Sequence, residues 1–141
     1  MFKILIAVCM CLMLAACAST GDGAAWQNIN GQWVIDIEAS TAINPHLAQS
    51  ESYREDMSLI SMEINMREHT LTPLIPEEKI QPLAFTVLEQ SGDSMLLRFS
   101  IDDTTYNGRF HVNVNMLPGN KLEFRVVEDK DGREHFIFIK R

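Results

Sequence analysis

From Gly31 onward, apolar and polar residues alternate along the chain with a period of two, which is typical of β-strands that bury one face. In the first run, GQWVIDIE, Trp33, Ile35 and Ile37 fall on one face. Similar runs follow around residues 60–66, 71–75, 83–87, 95–101, 110–116, 122–126 and 133–141. Gly, Pro, Asp or Asn residues, which favour turns, separate these runs. The pattern predicts about eight strands.

The segment after the first strand has a different pattern. Ser40 and Asn44 are both good helix N-caps, and Asn44 is followed by a proline, which the first helical turn tolerates. A thin apolar stripe at helical spacing is formed by Ile43, Leu47 and Met57. We therefore expect one helix from about Thr41 to Met57.

Strands that follow one another with one apolar face must cover that face. The predicted fold is mainly β, an antiparallel meander of about eight strands closed into an up-and-down barrel, because eight strands suffice for closure. A two-sheet β-sandwich is the alternative. One connection is ambiguous, because both Asp102-Asp103 and Asn107-Gly108 are turn signals, so we expect irregular chain between Asp102 and Gly108.

The N-terminal residues have the pattern of a secretory signal peptide, with Lys3, an apolar run from Ile4 to Met13 and then small residues. The run is too short for a bilayer, which needs about 20 apolar residues. Leu14-Ala15-Ala16-Cys17 resembles the bacterial lipobox, in which cleavage precedes the cysteine and its sulfur is acylated. The alternative is an ordinary secreted protein that is cut near Ala16.

The lipobox resemblance implies a mature lipoprotein that is attached to a membrane through acyl chains, such as palmitate, on Cys17. Because residue 18 is Ala rather than Asp, the resemblance implies the periplasmic face of the outer membrane. The expected layout is a signal peptide at 1–16, a small, polar, flexible tether at 17–25 and one domain at 26–141.

The net charge of the mature chain limits the classes of partner that it is expected to bind. Loss of Lys3 leaves 11 basic residues against 19 acidic ones, a net charge of −8. This acidity argues against nucleic acid as a partner and against adhesion to anionic lipid. The other two cysteines, Cys9 and Cys11, lie in the signal peptide, so packing alone must stabilise the mature domain.

Gly31-Gln32-Trp33 resembles the G-x-W signature of lipocalins and the wider calycin superfamily. The resemblance implies that Trp33 is buried and closes the barrel, with a basic residue of the last strand over its ring. We assign this structural role to Gly31, Trp33 and Arg141, with Lys140 as the other basic candidate. Typical lipocalins place their helix near the C terminus, whereas here the helix follows the first strand. Trp26, which precedes that strand, is expected to be more exposed.

The sequence offers little for catalysis or metal binding. The histidines, at 46, 69, 111 and 135, have neither H-x-H nor H-x-x-x-H spacing, which a zinc site would favour. No nucleophile motif or phosphate-binding loop is present. We therefore expect no catalytic residues, no metal and no cofactor.

Methionine and phenylalanine residues are frequent on the predicted apolar faces. We assign a ligand-lining role to Met62, Met66, Phe85 and Phe99, because such side chains suit adaptable apolar binding. They suit the filling of an irregular core equally well. Two functions follow. The first is a non-catalytic module that binds an apolar small molecule or lipid. The alternative is a protein-facing envelope module, such as an inhibitor or an accessory subunit of an envelope complex.

Overall fold

The strands of this computed structural model close into a barrel in which each strand pairs with its sequence neighbours and β1 pairs with β8. All pairs are antiparallel. The strands are β1 (Gly31–Ile35), β2 (Ser61–Asn65), β3 (Thr70–Leu74), β4 (Leu83–Ser91), β5 (Ser94–Asp102), β6 (Asn107–Leu117), β7 (Lys121–Val126) and β8 (His135–Lys140). The predicted eight-stranded up-and-down barrel is thus confirmed, and the sandwich alternative is not adopted.

The structure describes residues 26–102 and 107–141. The predicted signal peptide (1–16) and tether (17–25), with the lipidation site Cys17, lie outside the described residues. So does the 103–106 connection. Asp102 pairs with Asn107 and Ile101 pairs with Gly108 in regular strands. Asn107-Gly108 therefore does not form the turn, and the rest of the stretch in which irregular chain was expected, residues 103–106, lies outside the described residues.

The segment between β1 and β2 is helical, as predicted, but its bounds differ. It contains three short helices, α1 (Ile37–Ile43), α2 (Pro45–Gln49) and α3 (Glu51–Ser58), instead of one helix over Thr41–Met57. Helix α1 starts early because the Asp36 side chain accepts the Ala39 N–H and caps it. No helix in the described ranges is long and apolar enough to cross a membrane.

The breaks between the helices have a local cause. Asn44 precedes a proline, which disfavours helical backbone at the residue before it, and Asn44 is extended with φ −118° and ψ 95°. It ends α1 and caps α2 through its side chain, which accepts the His46 N–H. Ser50 is likewise extended and caps α3. Ser40, the other predicted cap, lies inside α1.

The two ends of the barrel differ. At the end where β1 starts, which we call the closed end, a short helical turn at Trp26 precedes Gly31. Trp33 is only 3% exposed, as predicted, and its ring N–H donates to the Ile29 carbonyl at 2.8 Å. Trp26 is 2% exposed and donates to the Gly92 carbonyl at 3.1 Å. The prediction of an exposed Trp26 was wrong, because this turn folds the ring into the barrel.

Candidate functional site: an apolar cavity at the open end of the barrel

The opposite end of the barrel, which we call the open end, contains a cavity of about 650 Å³. Its apolar lining comes from β2 to β8 and from Ile60 just before β2, and consists of Ile60, Met62, Leu71, Pro73, Leu83, Phe99, Phe110, Val112, Phe124, Val126, Phe136 and Phe138. Side chains alternate between the faces of a strand, so every second residue of each strand points inward. This volume lies within the range of about 300–1,000 Å³ that is common for small-molecule pockets.

Aromatic rings form much of the cavity wall because their strands are in matching register. Phe99 on β5 is directly opposite Phe110 on β6, and their rings stack with centroids 5.0 Å apart. Phe124 on β7 meets Phe138 on β8 edge-on at 5.4 Å. Such ring pairs stabilise one another beyond their burial, so they hold the wall in a defined shape.

The four residues assigned to ligand lining share the barrel interior, as expected, but only part of the set reaches the cavity. Met62 and Phe99 line it. Phe85 is buried in the core, and Met66 packs against that core, without lining the cavity. The lining that sequence reasoning left unassigned is chiefly Phe136 and Phe138, although their spacing of two residues in the last strand was a usable signal.

The lip of the cavity is polar and acidic. It is formed by Ser61 at the start of β2 and by Glu128, Asp129 and Glu134 of the loop that joins β7 to β8, residues 127–134. Both carboxylate oxygens of Glu128 accept the backbone N–H of His111, at 3.1 and 2.9 Å, and its Oε1 also bonds the His111 ring. Desolvation raises the pKa of Glu128, but these hydrogen bonds from His111 outweigh it and lower the pKa overall.

Asp129 organises the same loop. Its Oδ2 accepts the Glu134 N–H at 2.7 Å, and its Oδ1 accepts the Asp131 N–H at 3.2 Å. These backbone donors, with Glu134 the strongest, hold the pKa of Asp129 below its ordinary value. Glu128 and Asp129 therefore carry negative charge at neutral pH.

The helices fix the position of this loop. Asn44 donates from Nδ2 to the carbonyls of Arg133, at 2.8 Å, and His135, at 3.3 Å. Tyr53 on α3 donates to the same Arg133 carbonyl at 3.3 Å, and the His46 ring on α2 bonds the Asp131 carbonyl at 2.8 Å. Because Asn44 is fully buried, its two bonds are shielded from competing water. The segment between β1 and β2 thus places the acidic lip.

Helix α1 also completes the barrel wall. Strand β1 ends at Ile35, which pairs with Phe138. The residues of β8 that precede Phe138 therefore have no β1 residue beside them. Ser40 replaces the missing neighbour, since its hydroxyl accepts the Ile137 N–H at 2.8 Å and donates to the Ile137 carbonyl at 3.1 Å. That carbonyl also accepts the Asp36 N–H at 2.8 Å. The backbone hydrogen-bonding groups of Ile137 are therefore satisfied without a neighbouring strand.

At the closed end, Lys140, and not Arg141, packs over Trp33. The Lys140 ammonium lies 5.7 Å from the ring centroid and also bonds the Asn28 carbonyl. Lys140 is in phase with the inward residues Phe136 and Phe138, whereas Arg141 is one residue out of phase and its backbone N–H donates to the Gln32 carbonyl at 3.0 Å. The role given to Arg141 was thus wrong. Gly31, with φ +118°, has a backbone conformation that favours glycine.

The remaining titratable side chains lie mostly outside the barrel. On its outer face, Glu123 accepts from Asn115 at 2.7 Å and bonds the His135 ring at 3.1 Å. Burial raises the pKa of Glu123, but these two bonds outweigh it and lower the pKa. Within residues 26–102 and 107–141, no group of three His, Cys, Asp or Glu side chains is placed to hold a metal ion.

No protein-family model, no curated protein and no solved structure matches this chain. The resemblance of Gly31-Gln32-Trp33 to the calycin signature therefore stays a prediction.

Proposed function

We propose that this protein is a non-catalytic, lipid-anchored binding module of the periplasm that holds an apolar small molecule or lipid in the open-end cavity. The observation that carries the proposal is the cavity of about 650 Å³ with five phenylalanine rings in its wall. Transfer of apolar surface from water into such a wall is favourable by roughly 25 cal/mol per Å². An eight-stranded barrel has room for one such ligand.

The packing of side chains beneath the cavity supports binding rather than core filling. Buried side chains such as Met95, Val114 and Leu122 belong to the core but do not line the cavity. A protein that needed Met and Phe solely as core fillers would use them to close the open end as well, because voids cost stability.

The proposed anchor would join the domain at the end opposite the cavity. The chain enters the barrel at Trp26, which lies at the closed end, whereas the cavity opens at the other end. With acylated Cys17 on the periplasmic face of the outer membrane, the cavity would open away from the point of attachment.

Native mass spectrometry of the wild-type protein extracted from membranes tests the proposal. We expect a co-purifying apolar molecule in a 1:1 complex, and a mature mass that includes acyl chains on Cys17. An empty barrel together with a specific envelope protein recovered by crosslinking would contradict the proposal and favour the protein-facing alternative. A mature mass without acyl chains on Cys17 would contradict the proposed lipid anchor.

A further inference from the structure

The polar groups that line the open-end cavity are strongly biased in charge. They are Ser61 and the carboxylates of Glu128, Asp129 and Glu134, and no lysine, arginine or histidine of the described ranges lines the cavity. The loop also contains Lys130 and Arg133, but both are exposed and neither is part of the lining. The imidazole of His111 is bonded to Glu128, outside the lining.

The three carboxylates sit at the lip and not in the wall. Glu128 and Glu134 are exposed and Asp129 is half-buried, whereas Phe99, Phe124 and Phe138 deeper in the barrel are buried. A long amphiphile that places its chain among the rings therefore leaves its polar end beside the carboxylates. Hydrogen bonds from His111 and from the loop backbone hold two of them in place.

We propose that the ligand of this cavity is an amphiphile with a cationic or basic polar end, such as a long-chain amine, and that the lip rejects fatty acids. The inference rests on the proposed function, since it names the ligand class of the same cavity. A positive head placed among three carboxylates gains ionic attraction, and a carboxylate head in the same place is repelled.

The size of the preference follows from the exposure of the lip. Exposed ion pairs are screened by water and salt, so each pair changes affinity by up to about fivefold. We expect a long-chain amine to bind about fivefold more tightly than an alcohol of equal length, and more tightly again than the acid. The preference should shrink as salt rises, because the Debye length falls from about 30 Å at 0.01 M to about 3 Å at 1 M.

The test compares dodecylamine, dodecanol and dodecanoate at neutral pH, by displacement of the neutral fluorescent probe N-phenyl-1-naphthylamine. The protein is the mature chain with Cys17→Ser, which carries no acyl chain to compete for the cavity. The order amine, alcohol, acid supports the inference. Equal or tighter binding of dodecanoate overturns it and leaves the proposed function standing, whereas failure of every compound to bind overturns the proposed function itself.

A charge-reversal pair tests whether the lip causes the order. Glu134→Lys reverses one lip charge, and we expect the amine-to-acid affinity ratio to fall several-fold. Glu89→Lys is the matched control, because Glu89 is exposed on β4 and does not line the cavity. An unchanged ratio in Glu134→Lys, or an equal fall in both variants, overturns the role of the lip. Thermal melting of both variants verifies that they are folded.

Discussion

The Ser40 hydroxyl forms two hydrogen bonds with the backbone of Ile137, accepting from its N–H at 2.8 Å and donating to its carbonyl at 3.1 Å. A single helical side chain thereby makes the pair of bonds that a neighbouring strand would have made. Because Asn44, one helical turn later, holds the loop that follows β7, the same segment closes the wall and positions the acidic lip. The segment between β1 and β2 thus completes the barrel wall and holds the loop that carries the acidic lip.

Loss of this hydroxyl should destabilise the protein. Ser40→Ala leaves a buried N–H and a buried carbonyl of Ile137 without the hydroxyl, and we expect the free energy of unfolding to fall by about 1–3 kcal/mol. Urea unfolding followed by circular dichroism measures it. Ser52→Ala, an exposed serine of α3, is the control and should change stability by less than about 0.5 kcal/mol. Equal effects of the two substitutions would show that the Ile137 bonds contribute nothing.

Asn44→Asp should loosen the lip as well as lower stability. The aspartate keeps an oxygen that caps α2, but it cannot donate to the Arg133 and His135 carbonyls and places a charge in a fully buried site. We expect the free energy of unfolding to fall by at least about 1–3 kcal/mol. Relative to the wild type, amide exchange should accelerate more in residues 127–134 than in β5. Exchange that stays unchanged in this loop would mean that Asn44 does not hold it.

The two terminal basic residues should differ in effect. Lys140→Ala removes the contact with the Trp33 ring and the bond to Asn28, and should cost about 0.5–2 kcal/mol. Arg141→Ala removes an exposed side chain and should stay within about 0.5 kcal/mol of the wild type. Thermal melting of both variants decides between them, and a larger loss in Arg141→Ala would reverse the assignment.

The ion pair between Asp36 and Lys121 predicts an acid-dependent part of the stability. The Lys121 hydrogen bond at 2.8 Å, followed by the Ala39 N–H, lowers the pKa of Asp36 below its ordinary value of 3.8. Because the folded pKa is lowered, this stabilisation is present above pH 3.8 and is lost as the pH falls through the lower folded value. Asp36→Asn keeps an oxygen for the α1 cap, so the variant should be less stable than wild type at pH 7.

The two proteins should converge in stability under acid. Unfolding in urea at pH 7 and in steps down to about pH 3 measures the difference, with Glu63→Gln, an exposed carboxylate on β2, as the control. A difference between wild type and Asp36→Asn that stayed constant over this range would contradict the proposed role of the ion pair.

The parts of the fold that depend on local alternation were accessible from the sequence. Trp33, Met62 and Phe99 were placed inside the barrel because inward positions recur at every second residue. The inward position of Lys140 could be predicted for the same reason, since it continues the phase of Phe138. The analogy with a calycin family instead led to the assignment of Arg141. The early start of α1 was missed because Asp36 belonged to an alternating strand pattern.

The lip was not accessible from the sequence. Its position depends on bonds such as that from Asn44 to Arg133, which are 89 residues apart in the chain. Capping propensity describes the backbone next to Asn44 and says nothing about distant carbonyls. The same limit applies to Ser40, whose partner Ile137 is 97 residues away. Long-range polar contacts of this kind, and not the strand pattern, place the acidic lip at the open end of the barrel.

Binding inside the cavity is tested by a titration of the mature Cys17→Ser chain with N-phenyl-1-naphthylamine, comparing Val126→Trp with Leu88→Trp. Val126 lines the cavity, so an indole there fills it, whereas Leu88 is exposed on β4 and does not line it. We expect saturable 1:1 binding in the parent and in Leu88→Trp, and at least about tenfold weaker binding in Val126→Trp with its fold retained. Equal binding by both variants would place the probe outside the cavity and contradict the account.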